Sequence, residues 1–301
     1  MTLGIAAQSK KKMNTIRLIF PQWQGAHMQQ SWIPEIEDLK DMSQGYVLGS
    51  QLLSLLAPQN SEQKIVSVPI DMTYERRTAD GVIDRDIIAR QTRTAIDILN
   101  VENPDRIITL GGECSVSSPV FTWLAKKYEG DVAVLWIDAH PDITLPGDVY
   151  DGYHAMSVTA MMGKGDQKIV SELPTNINAK NILFVGLRDW EREQIIERQK
   201  EYGMKNVTVA DVRDNSNKVL EWLKSTKKNH VLIHFDLDVL DPTEIIPAVG
   251  VVKDGMKMEE VIRVINDVSK SFEVNGLTIA EPMPRRALQI RKMLKGINLF
   301  K

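Results

Sequence analysis

Short apolar runs recur along the chain, separated by helical patterns, and several of them are apolar at every position. Val132-Ala133-Val134-Leu135-Trp136-Ile137 is the plainest case. Alternation would leave one face polar, whereas an unbroken run suits a strand covered on both faces, as in a parallel sheet between helices. Strands are predicted over Ile16 to Phe20, Ile65 to Ile70, Ile107 to Leu110, Val132 to Asp138, Ile182 to Val185, Asn206 to Val209, Val231 to Asp236 and Leu277 to Ala280. Amphipathic helices are predicted between them, among them Asp86 to Leu99, Val116 to Tyr128, Lys218 to Lys224 and Lys257 to Val268. The alternation implies an α/β fold of three αβα layers around a mainly parallel sheet of about eight strands. No Pro/Gly/Ser-rich linker, low-complexity tract or internal repeat interrupts it, so residues 1–301 are read as a single domain. The stretch Gln22 to Gln44 is irregular and takes no assignment.

Charge excludes some partners. The formal net charge is −3, which gives no electrostatic reason to expect nucleic acid or an anionic membrane. No run approaches the ~20 apolar residues of a membrane helix. From Met1 to Met13 a short apolar patch precedes Lys10, Lys11 and Lys12, the reverse of a secretory signal, so a cytoplasmic location is expected. The one cysteine, Cys114, cannot form an intramolecular disulfide.

In open α/β sheets ligands bind beyond the carboxyl ends of the strands, and three polar clusters fall there. In Asp138-Ala139-His140-Pro141-Asp142, extended chain would place Asp138, His140 and Asp142 on one side. Carboxylates with an imidazole suit a divalent cation such as Mn²⁺. In His234-Phe235-Asp236-Leu237-Asp238-Val239-Leu240-Asp241-Pro242, Asp236 and Asp238 point one way while Phe235 and Leu237 enter the packing. Neighbouring aspartates at a buried strand end are costly without a cation, so the two clusters together make a dinuclear site. Asp241, before a proline, reads as a turn former; His234 reads equally as a group behind the ligands or as a half-buried side chain. In Gly111-Gly112-Glu113-Cys114-Ser115, paired glycines allow a sharp turn that either cradles a phosphate or presents Cys114. Neither Gly-x-Gly-x-x-Gly nor a Walker sequence accompanies it. A nucleophilic Cys114 would need a histidine base beside it.

In order and position, Gly-Gly-Glu-Cys-Ser, Asp-Ala-His-Pro-Asp and Phe-Asp-Leu-Asp-Val-Leu-Asp-Pro resemble the three signatures of the arginase/agmatinase ureohydrolase family. Gly186-Leu187-Arg188-Asp189 and Glu281-Pro282-Met283-Pro284 resemble two further family segments. The similarity runs from about Ile107 to Pro284, and the preceding residues resemble the family only loosely. The resemblance implies two Mn²⁺ ions on an eight-stranded parallel sheet, and a hydroxide held between them that attacks the guanidinium carbon to give urea and an amine. It further implies that Asp138 and Asp236 bridge both ions, with Asp142 on the first and His140 and Asp238 on the second. His154 stands where the family relays protons and Glu281 where it binds the guanidinium group. Asp151 and Glu191 are expected among the substrate contacts, and Asp142 among the catalytic groups. A homo-oligomer, trimer or hexamer, is expected on the same analogy.

Two departures leave alternatives open. The family's first signature is Gly-Gly-Asp-His, whose histidine ligates the first metal, and Cys114 stands in its place. A thiolate there favours Zn²⁺, Fe²⁺ or Co²⁺ over Mn²⁺; a neutral thiol leaves a single-metal enzyme, or a non-catalytic binding or regulatory protein. Within Ile143 to Tyr153, Asp148 and Asp151 replace the polar groups with which arginases hold the substrate carboxylate, which favours agmatine or another guanidino or amidino amine over arginine. If Cys114 occupies a ligand position, Cys114→His raises Mn²⁺ affinity on the order of tenfold, because the harder imidazole suits that ion better. Calorimetric titration measures this, and an unchanged affinity places Cys114 outside the metal site.

Overall fold

The computed structural model describes residues 13–28 and 41–301. Most of the Met1 to Met13 segment and much of the Gln22 to Gln44 stretch lie outside the described residues.

Eight parallel strands form one sheet: β1 (Thr15–Phe20), β2 (Lys64–Ser67), β5 (Arg106–Gly111), β6 (Val132–Ile137), β7 (Ile182–Val185), β8 (Lys205–Val207), β9 (His230–Asp236) and β10 (Glu273–Ala280). Their spatial order is β2-β1-β5-β10-β9-β6-β7-β8. All eight predicted strands are present. A two-stranded antiparallel ribbon, β3 (Thr78–Ala79) and β4 (Val82–Ile83), lies outside the sheet. Its turn is Asp80-Gly81, both at positive φ (49° and 78°), the hairpin chemistry of Asp-Gly.

Burial explains the unbroken apolar runs. On β6, Val132, Val134 and Trp136 join one hydrophobic cluster, while Ala133, Leu135 and Ile137 join the other. Helices Arg85–Glu102 and Ser117–Lys127 cover the first face; Gly45–Leu56, Asn217–Thr226, Met258–Ser271 and Ala287–Gly296 cover the second. The edge strands β2 and β8 are mostly exposed and carry Lys64 and Lys205, the charge that discourages edge-to-edge pairing.

Two strand ends fall short of the predicted ones for identifiable reasons. β2 stops at Ser67, two residues before Pro69, whose ring fixes φ at about −65°, away from parallel-strand geometry. β8 stops at Val207 because Thr208 turns to cap helix Val209–Val212 in a reciprocal box with Asp211.

The loop after β6 is strapped down by a buried ion pair. Arg198, on helix Glu193–Glu201, donates to Asp148 at 2.6 and 3.0 Å and to the Ile143 carbonyl at 2.9 Å. Burial works to raise the Asp148 pKa, yet the guanidinium hydrogen bonds hold it below the ordinary carboxylate range. A depressed folded-state pKa means that the pair stabilises at neutral pH and is lost as pH falls through that value. Removing one partner leaves a buried charge, so Asp148→Asn is expected to destabilise by about 3 kcal/mol at neutral pH. Thermal unfolding of both proteins should give converging stabilities in acid; a constant difference across pH would show that the charge is irrelevant.

Candidate metal centre

The strand order places the chemistry. β5, β10, β9 and β6 are consecutive in the sheet, so the residues at or just beyond their carboxyl ends, Cys114, Glu281, Asp236 and Asp138, come together at one edge. The extended alternation expected within Asp138 to Asp142 is not how they converge. β6 ends at Ile137, and the Asp138 carboxylate accepts from the His140 backbone N–H at 2.6 Å. Asp142 then adopts left-handed backbone (φ 47°). Asp236 likewise caps the short turn Leu237–Val239 by accepting from the Asp238 N–H at 2.6 Å. Turns, rather than the pleat, aim these carboxylates inward. Phe235 and Leu237 are fully buried in the packing, and Asp241 accepts from the N–H and hydroxyl of Thr243 as a turn former does.

The glycine pair presents the cysteine. A Cβ on Gly112 would lie 1.9 Å from the Gln22 carbonyl oxygen, so only glycine permits that approach. Glu113, fully buried, accepts from Gln22 Nε2 and from the Ser115 N–H and hydroxyl. Cys114 Sγ then sits 2.9 Å from Asp236 Oδ2 and 3.5 Å from Glu281 Oε1.

A cavity of about 480 Å³ opens over these groups. Cys114, His140, Asp142, Asp236, Asp238, His154, Glu281 and Glu191 line it, beside the apolar walls of Ile143, Trp190, Ile195 and Val249. Asp138 lies behind that surface, its Oδ2 accepting from Trp136 Nε1 at 2.9 Å. Asp151 is not part of the lining: it pairs with His27 at 3.1 Å and accepts from the Thr78 hydroxyl at 2.6 Å. Asp148 is likewise engaged by Arg198, so neither loop aspartate offers charge to a ligand in this cavity.

Burial dominates the electrostatics. It pushes the carboxyl groups of Asp142 and Asp236 well above the ordinary range and that of Asp138 to about 6, with neighbouring carboxylates adding to the rise in each case. Asp238 is also buried, but His140 at 2.9 Å holds it down to about 2. Burial and the surrounding aspartates push the Cys114 thiol up, which argues against a free thiolate nucleophile at neutral pH. Burial raises Glu281 to about 8 and lowers His154 to about 4. Both are therefore neutral at pH 7, and their 3.3 Å contact is not an ion pair.

Some of the framing groups carry no signal in the sequence. The Tyr46 hydroxyl donates to Glu281 from helix Gly45–Leu56, and Tyr150 Oη lies 2.7 Å from His154 Nε2. On the same helix a Cβ at Gly49 would stand 1.7 Å from the Pro282 carbonyl oxygen, so helix backbone meets the chain directly after Glu281.

The sequence model of the Arginase family matches residues 49–293. The chain belongs to the arginase family. The match begins well upstream of Ile107, so family character extends into the first part of the chain. An arginase of Entamoeba histolytica is 28% identical over 223 residues, covering 72% of this chain and 71% of that one. Human arginase-1 is 29% identical over 215 residues, covering 67% and 66%. Among solved structures, the Entamoeba histolytica arginase in complex with L-ornithine superposes with a TM-score of 0.79 at 20% identity, over 97% of this chain and 99% of that one. The formimidoylglutamase of Bacillus subtilis gives 0.66 at 16% identity, over 99% and 96%. At these identities the superpositions establish the arginase-like fold.

In this arginase-family chain the donor set fits divalent cations. Cys114, Asp138, His234 and Asp236 bring donor atoms within 4.8 Å of one another, and so do Asp138, His140 and Asp238, with Asp138 common to both groups. Two buried polar atoms beside them, Asp142 Oδ2 and His234 Nε2, have no hydrogen-bond partner among the described residues. Clustered buried carboxylates and orphaned donors are costly unless a cation neutralises them. A divalent cation at a hundred times its Kd is expected to stabilise the chelator-treated protein by about 2.7 kcal/mol. The unfolding temperature then rises by about 4 °C, given an unfolding entropy of about 2 cal/mol/K per residue. Asp236→Asn should lose most of that rise in scanning calorimetry; no rise in the unaltered protein with Mn²⁺, Zn²⁺ or Co²⁺ would mean that no ion binds.

Proposed function

We propose that the protein is a metal-dependent hydrolase that cleaves a guanidino or amidino C–N bond and releases urea from a small cationic substrate such as agmatine or arginine. The observation that carries this reading is the joint placement of Glu281 and His154 over the acidic cluster, in one cavity with apolar walls. Cys114, Asp138, His140, Asp142, Asp236 and Asp238 would hold one or two ions, Mn²⁺ or, because of the sulfur, Zn²⁺, Fe²⁺ or Co²⁺. Such ions supply a hydroxide at neutral pH and Lewis acidity toward the substrate.

The chain's own residues do the rest. Glu281 faces the cavity with one oxygen accepting from the Cys114 N–H at 3.1 Å and the other from the Tyr46 hydroxyl. A guanidinium arriving there favours the ionised form of the otherwise neutral Glu281 carboxyl and then offers it charge-assisted hydrogen bonds, a geometry that selects planar cations. His154 is held from both sides, by Glu281 at Nδ1 and by Tyr150 at Nε2. Neutral at pH 7, it can accept a proton and deliver it to the leaving nitrogen. The walls of Ile143, Trp190 and Ile195 suit the methylene spacer of such a substrate. At the cavity lining Glu191 pairs with Arg192 at 3.4 Å, so both signs of charge await the far end of the ligand. With Asp148 and Asp151 turned elsewhere, the preference for agmatine over arginine loses its basis.

A second reading, an arginase-like protein with impaired metal binding that serves as a binding or regulatory component, draws on the buried thiol's raised pKa. Urea release, assayed on agmatine and arginine with each of Mn²⁺, Zn²⁺, Fe²⁺ and Co²⁺, separates the two. Turnover abolished by chelator supports the hydrolase; weak or absent ion binding with no turnover on any guanidino compound favours the second reading. In the hydrolase, Glu281→Gln should lower kcat/KM on the order of 10- to 100-fold, the loss of one charged hydrogen-bonding partner. A variant with undiminished kcat/KM would remove Glu281 from the substrate site.

A further inference from the structure

His234 is the one imidazole of the centre that the sequence did not distinguish from packing. It is fully buried on β9, and its ring stacks on Trp136 with centroids 3.6 Å apart and planes within 6°. Its Nδ1 lies 2.8 Å from the Ser117 hydroxyl. Its Nε2 has no hydrogen-bond partner among the described residues. The nearest carboxylate oxygen, Asp138 Oδ2, is 3.9 Å away, too far for a hydrogen bond, and already accepts from Trp136 Nε1.

We propose that His234 is a metal ligand, its Nε2 joining Cys114 Sγ and the Asp138 and Asp236 carboxylates in a sulfur-bearing subsite suited to Zn²⁺ or Co²⁺. This rests on the metal-centre reading above and adds a ligand to it. Donors around one tetrahedral Zn²⁺ stand about 3.2–3.8 Å apart, given Zn–N near 2.0–2.1 Å and Zn–S near 2.3 Å. The separation of Nε2 from Asp138 is close to that spacing, and the four donor atoms all fall within 4.8 Å of one another. The second nitrogen is placed as ligating imidazoles require: with Ser117 Oγ as acceptor for Nδ1–H, the Nε2 lone pair is left to face the other donors. Stacking on Trp136 fixes the ring plane, so the lone pair has a set direction. A thiolate, an imidazole and two carboxylates form a softer set than the Asp138, His140 and Asp238 group beside it. The two halves of the centre therefore differ in preference, the sulfur-bearing half for a borderline-soft ion and the other for a harder one.

The test uses the full chain. In crystals of the Zn²⁺-loaded protein, anomalous scattering should place an ion bonded to both Cys114 Sγ and His234 Nε2, at about 2.3 and 2.1 Å. In solution, the chelator-treated protein loaded with Co²⁺ should show a thiolate-to-metal absorption band and the strong visible bands of a tetrahedral ion. His234→Gln should weaken Zn²⁺ binding at that subsite at least about tenfold, with the metal-free unfolding temperature as the control for folding. Zn²⁺ bonded to Cys114 but lying beyond about 3 Å from Nε2, or undiminished affinity in His234→Gln, would overturn the role of His234 and leave the metal-centre reading intact. Failure of the unaltered protein to bind Mn²⁺, Zn²⁺ or Co²⁺ at all would overturn both.

Discussion

Several carboxylates are held out of water at one edge of a buried sheet, and much of the molecule serves that arrangement. Asp138, Asp142, Asp236, Asp238 and Glu281 are each no more than 6% exposed. Like charges so placed repel, and desolvation disfavours each ionised form. The chain answers with directed hydrogen bonds from its own backbone: His140 N–H to Asp138, Asp238 N–H to Asp236, Cys114 N–H to Glu281. Asp142 Oδ2 and His234 Nε2 remain without a hydrogen-bond partner among the described residues, beside a donor set that fits divalent cations.

That arrangement depends on the strand order. Chain order sets the pair β5 and β6 far from the pair β9 and β10, yet the central four positions of the sheet bring their carboxyl ends side by side. Each of these four strands is anchored by side chains entering clusters on both faces, so slippage by one residue would move its buried groups to the wrong layer. The precision of the centre is thus inherited from the packing of the sheet, while helix Gly45–Leu56 and the strapped loop after β6 contribute Tyr46, Tyr150 and His154.

The centre of the sheet is legible because a strand buried on both faces writes an unbroken apolar run, while β2 and β8 show only short apolar runs between helical patterns. Boundaries were less legible where a local competitor prevailed, Pro69 at the end of β2 and the Thr208 cap after β8. Helix Gly45–Leu56 is hard to read because Gly45, Gly49 and Ser50 dilute its pattern; Gly49 lets backbone approach and the Ser50 hydroxyl donates to the Leu110 carbonyl. Asp80-Gly81 is a readable hairpin signal in the sequence. In the centre, Cys114, His140, Asp142, Asp236 and Asp238 were legible as dense polar motifs after apolar runs, and they do face one cavity. Asp151 misled because a loop charge looks the same in sequence whether it meets a ligand or, as here, His27 and Thr78. His234 was ambiguous because burial and ligation leave the same letter at the same place, and only the orphaned nitrogen separates them.

The contact between Gly49 and Pro282 bears on how such a centre can diversify. Helix backbone lies against the chain beside Glu281 with no side chain between them, so the floor beneath that carboxylate has no adjustable spacer. A larger residue at position 49 would tilt the carboxylate rather than reshape the room around it. The cavity rim, by contrast, is built from side chains in loops, such as Glu191 and Arg192, that can be exchanged without moving the sheet. A lineage adapting this scaffold to a new ligand is therefore channelled toward edits at the rim, and its floor persists as a fixed anvil against which different ligands are tried.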